Sequence, residues 1–468
     1  MADINRERLG RSFLKLTEFD AESFHERRLA DYLKETLENA GLTVTEDDAG
    51  VTLRKIADGT LARNGRPAGA AKADAPEHGR NEASVSVQAD QGGNSTAHAK
   101  TSAAVSAQAD READADPAGN IFAVLPAYHS DADPILLVAH SDTVRPGNRR
   151  EARLVSENPD AGTKNGNDPK EIAGTDARAE ELAEGMSSGR NLYITSDGTT
   201  VLGADDEAGI AEILELLAIL REQKLPHPEI EVLITSCEEP YCLGSRFFDF
   251  GRIRAKEGYV LDMSGNAGRA ASAAPAILSF EVTVTGKSAH AGFEPEQGIH
   301  AIKAAAAAVA EIRTGHIDEE TTVNIGTFNG GKARNIVPDR VVITGEIRSL
   351  DDAKADAQLQ AVRESFERHA REIGAEVSFS SDRSFHAYKV ERDDTAAVHF
   401  EQAVKKAGLA PEWAVTFGGS DNNRLREHGI RGLVIGCGYW HAHSTSEYAA
   451  VSEMEKSVRI LLNLVEGG

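Results

Sequence analysis

Val138-Ala139-His140-Ser141-Asp142-Thr143-Val144 is an apolar run that ends in a histidine and an aspartate two residues apart. Residues at that spacing on a strand face the same way, so His140 and Asp142 leave the sheet together. An imidazole that holds a metal needs a carboxylate or a carbonyl on its other nitrogen to fix its tautomer, and Asp142 is placed to serve. Four further runs repeat the theme. Asp205 and Asp206 are adjacent carboxylates ahead of an apolar helical stripe, where an acidic pair also favours the helix dipole. Glu238 and Glu239 follow the apolar run that ends at Thr235. Adjacent acids at a strand end point differently, so one can bind a metal while its neighbour faces a water. Asp262 closes an apolar strand, and His441-Ala442-His443 leads into Ser444-Thr445-Ser446-Glu447-Tyr448.

Acids and imidazoles at the carboxyl ends of strands lie on the edge where sites assemble in open α/β sheets. Nitrogen and oxygen donors without thiolate suit Zn2+, with Mn2+ or Co2+ as substitutes. Two such cations about 3.5–4 Å apart require a bridging carboxylate and would activate a shared water against an amide carbonyl. A free glutamate beside them would take the proton of that water and pass it to the leaving amine.

The elements that must position these residues follow an α/β rhythm. Strands are predicted at Asn120 to Leu125, Pro134 to Val138, Glu229 to Thr235 and Gly258 to Leu261, with a helix carried by Ile210, Ile213, Leu214, Leu217 and Leu220. Strands alternating with helices imply a mixed, mostly parallel sheet covered on both faces. From 276 to 386 the pattern changes to four strands and two helices, an antiparallel α+β unit similar in order to a split βαβ module. Residues 387–468 return to the first style. The expected domains are therefore 1–275 and 387–468 as one catalytic unit, with 276–386 inserted. Two polar stretches, about 60–118 and 149–190, lack aromatic residues and are expected as solvated insertions, the second with a short helix from Asp176 to Glu184.

Composition narrows the function classes. The chain has 468 residues, is 40% hydrophobic and carries a formal net charge of -24, which argues against nucleic acid and anionic membrane surfaces as partners. No stretch approaches the roughly 20 apolar residues of a membrane span. Cys237, Cys242 and Cys437 are too few and odd in number for a disulfide framework, so the cytoplasm is the expected location. No G-x-G-x-x-G follows a strand, and Gly286-Lys287-Ser288 lacks the glycine five residues earlier that a phosphate-binding loop needs, which disfavours dinucleotide redox and phosphoryl-transfer enzymes.

The set His140-Ser-Asp142-Thr-Val, Gly203-Ala-Asp205-Asp206, Glu238-Glu239, Asp262 and His443-Ser-Thr-Ser-Glu447-Tyr resembles the co-catalytic zinc peptidases of the aminoacylase/carboxypeptidase clan. Leu202 to Asp206 and Thr195-Ser196-Asp197-Gly198 are most similar to its peptidase T-like (tripeptidase) branch. The resemblance spans nearly all of the chain outside the polar stretches. It implies a zinc-exopeptidase-like fold, two Zn2+ ions and hydrolysis of short peptides, with the inserted unit as a lid and dimerisation domain. It further implies that Asp205 bridges the metals, that His140 and Asp262 complete one site and Glu239 and His443 the other, that Glu238 is the general base and that Asp142 orients His140. His441 competes with His443 as the last ligand. His290, in Gly286 to Gly292, matches a histidine that approaches the scissile carbonyl, often from the partner subunit; Asn335 and Arg348 match substrate contacts. Glu207 stands where a lysine is frequent. A carboxypeptidase or N-acyl-amino-acid amidohydrolase would use the same core, and a non-catalytic homologue would be expected to lack a ligand or the base.

Overall fold

The computed structural model describes residues 2–65, 117–162, 185 and 191–467; the helix expected from 176 to 184 lies outside them. At the centre, four parallel strands run in the spatial order Ile230–Thr235, Ile135–His140, Glu257–Met263 and Arg431–Gly436. The first two are buried at every position, which is why they read as mainly apolar runs, the one buried acid, Glu231, accepting from the Arg254 and Ala255 N–H groups. Alternate residues serve opposite faces. Leu137 and Val232 enter the core that holds Phe13, Leu217 and Leu461, whereas Leu136 and Leu233 enter the one with Phe122, Phe248 and Leu425. Antiparallel strands extend both edges: Ile121–Leu125 and Thr43–Glu46 on one side, Arg269–Ala274 and its partners on the other, giving a nine-stranded sheet. Helices Arg6–Leu16, Ala204–Gln223 and Val451–Gly467 pack together over one face. Because the central strands are parallel, His140, Thr235 and Asp262 all reach the same edge.

The chain from Ala276 to Phe385 forms a separate antiparallel sheet with helices Ala301–Glu311 and Asp352–Ile373 packed on it. The longer helix starts where the Asp351 side chain accepts from the Lys354 N–H and stops at Gly374, whose φ is 74°. This sheet has five strands rather than the four expected, the extra one being the two-residue Gly315–His316. Two residues carry no periodicity, so no pattern announces them. A third sheet, of Arg153–Val155, Tyr193–Thr195, Tyr448–Ala450 and Tyr439–Trp440, is likewise built from short strands and was not legible. It draws in the start of the second polar stretch: the Arg150 side chain is only 1% exposed and pairs with Glu207 at 2.6 Å. Among the described residues, no helix is long and apolar enough to cross a membrane.

Candidate active site

The last residue of the Ile135–His140 strand delivers its imidazole to the carboxyl edge of the sheet. His140 Nε2 lies 3.1 Å from Asp205 Oδ1 and 3.8 Å from Asp262 Oδ1. Opposite, His443 Nε2 lies 3.3 Å from Asp205 Oδ2 and 2.9 Å from Glu239 Oε2. Two trios result, His140/Asp205/Asp262 and Asp205/Glu239/His443, each with its ligand atoms within 4.8 Å of one another. Asp205 belongs to both, one carboxylate oxygen to each. Five residues remote in sequence thus meet as expected, and the competing His441 turns away to Asp160, 2.8 Å distant.

Asp142 behaves differently from the expectation. Its backbone carbonyl, 2.9 Å from His140 Nδ1, holds the ring, while its carboxylate stands 3.6 Å away, beyond hydrogen-bond range. The carboxylate instead accepts from Ser23 Oγ at 2.7 Å and from the Glu238 and Glu239 N–H groups at 2.7 and 3.3 Å. It therefore fixes the turn that carries both glutamates. Glu238 is buried and outside both trios; Cys242 Sγ donates to its Oε1 at 3.0 Å.

The electrostatics favour a cation. Burial, with repulsion from Asp205 and Glu238, drives the Asp262 carboxyl well above its ordinary range. Burial also raises Glu238 and Glu239. Burial opposes ionisation of Asp205 too, yet hydrogen bonds from His140 and His443 outweigh it and hold this carboxyl low. His140 is desolvated, but its acidic partners Asp142 and Asp205 raise it well above an ordinary imidazole. The buried Glu239 Oε1 has no hydrogen-bond partner among the described residues. Nitrogen and oxygen donors, a shared carboxylate and an orphaned carboxylate oxygen fit divalent cations.

A cavity of 260 Å³ opens over the trios, and Arg348 lines it with Met263, Ile277, Phe385 and Val434. The Arg348 guanidinium is held by Glu346 at 2.6 Å and the Phe417 carbonyl at 2.7 Å. His290 and Asn335 do not line this cavity. Both are exposed on lid loops tied by the Ala291 N–H to the Asn335 carbonyl at 3.0 Å. Sequence reasoning missed Tyr439, whose hydroxyl donates to Asp205 at 3.2 Å and Asp262 at 3.4 Å, and the cavity-lining Gly418-Gly419-Ser420. The latter had a signal, a double glycine shortly after a strand; a buried tyrosine has none.

A parallel core with polar ligands at its carboxyl edge, joined to an antiparallel lid, defines a metallo-exopeptidase hydrolase. Residues 272–374 match the peptidase dimerisation domain and residues 120–314 match peptidase family M28. The aminopeptidase PepT structure from Bacillus cereus is 31% identical, covering 99% of this chain and 98% of that one, with a TM-score of 0.71. A tripeptidase structure from Staphylococcus aureus is 26% identical over 99% of this chain and 98% of that one, with a TM-score of 0.74. The Bacillus subtilis protein YqjE, itself described as uncharacterized, is 30% identical over 99% of each chain. The chain belongs to the peptidase T-like branch of the zinc peptidases.

Proposed function

We propose that the chain is a dinuclear zinc aminopeptidase that cleaves short peptides, tripeptides foremost, from the amino end. The observation that carries this reading is the membership of Asp205 in both ligand trios. His140 and Asp262 would hold one Zn2+, Glu239 and His443 the other, with Asp205 between them; Co2+ or Mn2+ suit the same donors. When bound, the cations polarise the scissile carbonyl and lower the pKa of a water. Glu238, adjacent to the ligands yet outside both trios, takes the water's proton and returns it to the leaving amine. Asp142 keeps Glu238 in place through its backbone N–H. Arg348 receives a peptide carboxylate, and the apolar cavity wall receives a side chain. The similarity to PepT and a tripeptidase supports the amino-terminal choice.

The match to a peptidase dimerisation domain supports a homodimer formed through the lid. In that dimer His290 and Asn335 act on the partner's cavity, which accounts for their exposure in the single chain. Three unpaired, buried cysteines suit a reducing compartment, so we place the enzyme in the cytoplasm.

The test is a panel of free, N-acetylated and C-amidated tripeptides assayed with Zn2+ and after chelation. Free peptides should be cut, amidated ones more slowly because Arg348 then loses its carboxylate, chelation should abolish turnover, and added Zn2+ should restore it. Activity confined to the acetylated member would replace the aminopeptidase reading with that of an N-acyl amidohydrolase. Rapid turnover surviving chelation would reject the metal.

A further inference from the structure

Glu447 lies at the start of the Tyr448–Ala450 strand, four residues after His443, and its side chain is buried. Its carboxylate reaches across the chain to the turn that carries Asp205. Oε2 accepts from the N–H groups of Leu202 at 2.7 Å and Gly203 at 2.8 Å, and Oε1 from the Asp205 N–H at 2.9 Å. That turn begins the Ala204–Gln223 helix, whose first N–H groups have no partner within the helix. A carboxylate there is favoured by both hydrogen bonding and the helix dipole. Pairing of Tyr448 with Thr195 and Tyr439 with Ala449 sets the register of the loop. One side chain thus ties the loop of His443 to the backbone of the residue shared by both trios.

We infer that Glu447 is the positioning residue that aims the Asp205 carboxylate, and so sets the affinity of both metal sites together. It touches no reacting atom; it acts through Asp205. The inference rests on the dinuclear reading above and goes beyond it by separating this role from those of the ligands. Substitution of a ligand outside the shared position, as in Asp262→Asn, should weaken chiefly one site. Loss of the Glu447 carboxylate should weaken both.

The experiment is calorimetric titration of metal-free protein with Zn2+ alone, for wild type, E447Q and D262N, beside the thermal unfolding of each metal-free protein. Wild type should bind two ions per chain. E447Q should bind both about 10- to 100-fold more weakly, and D262N should lose affinity in one step only. E447D, which keeps the charge on a shorter stem, should also weaken both steps and serves if E447Q does not fold. Two unchanged binding steps in folded E447Q, or in E447D, would overturn the inference, as would loss of a single step. Failure of wild type to bind two ions would instead sink the dinuclear reading.

Discussion

Glu238 and Asp205 are the residues on which the chemistry turns, and they should fail differently. Glu238→Ala should lower turnover by about 10²- to 10⁴-fold, the usual worth of a positioned acid–base group, while bound zinc, measured by atomic emission, stays at the wild-type level. Asp205→Asn should lose zinc as well as turnover. Glu26, which is not itself a ligand but accepts from the Cys237 N–H and thiol beside the glutamate turn, supplies a pH prediction. Burial, with the nearby Asp142 charge, pushes its carboxyl up to about 7, against 4.5 ordinarily. The folded protein then holds a proton that the unfolded chain has released, so stability falls as pH rises from 4.5 to 7. Urea unfolding of E26Q should lack this loss, the difference from wild type growing by about 3 kcal/mol across the window; a constant difference would refute it. The candidate ligands were legible at this scale because the side chains that hold zinc are few (His, Asp, Glu and Cys), and His140, Glu238, Glu239 and Asp262 each stand at or just after an apolar run. The role of the Asp142 carboxylate was not, since spacing shows only that a group is near and not which atom makes the bond.

At the scale of elements, the turn from Leu202 to Asp205 has a second support in the buried Arg150–Glu207 pair. Arg150 also donates to the Leu202 carbonyl at 3.1 Å. Glu207→Gln leaves a guanidinium that cannot shed its charge, and should cost roughly 3–5 kcal/mol in chemical denaturation. The double substitution R150M/E207L should lie closer to wild type, because no buried charge then remains. Equal or greater loss in the double variant would contradict this account. The pair explains how a glutamate is tolerated after the acidic run, and why part of an apparently polar stretch is buried: its charge is neutralised by a residue 57 positions away. Long strands and helices such as Ile135–His140 and Asp352–Ile373 were readable from their periodicity. The three-residue Tyr193–Thr195 and Tyr448–Ala450 strands were not, because their stability comes from partners distant in sequence.

For the whole molecule, the central proposition is that separate units cooperate: a sheet edge supplies ligands, and the lid supplies substrate contacts to a neighbouring subunit. His290→Ala and Glu238→Gln should each be nearly inactive alone. When the two variants are dissociated and reassociated together, hybrid dimers should regain one working site, assembled from Glu238 of one chain and His290 of the other. Absence of complementation would place His290 in the site of its own chain, and full activity of His290→Ala alone would place it outside the site. The account depends most directly on two cations flanking Asp205. Anomalous diffraction at the zinc absorption edge from crystals grown with Zn2+ should show two peaks about 3.5–4 Å apart, one beside His140 and Asp262 and the other beside Glu239 and His443. A single peak, or peaks remote from Asp205, would contradict it.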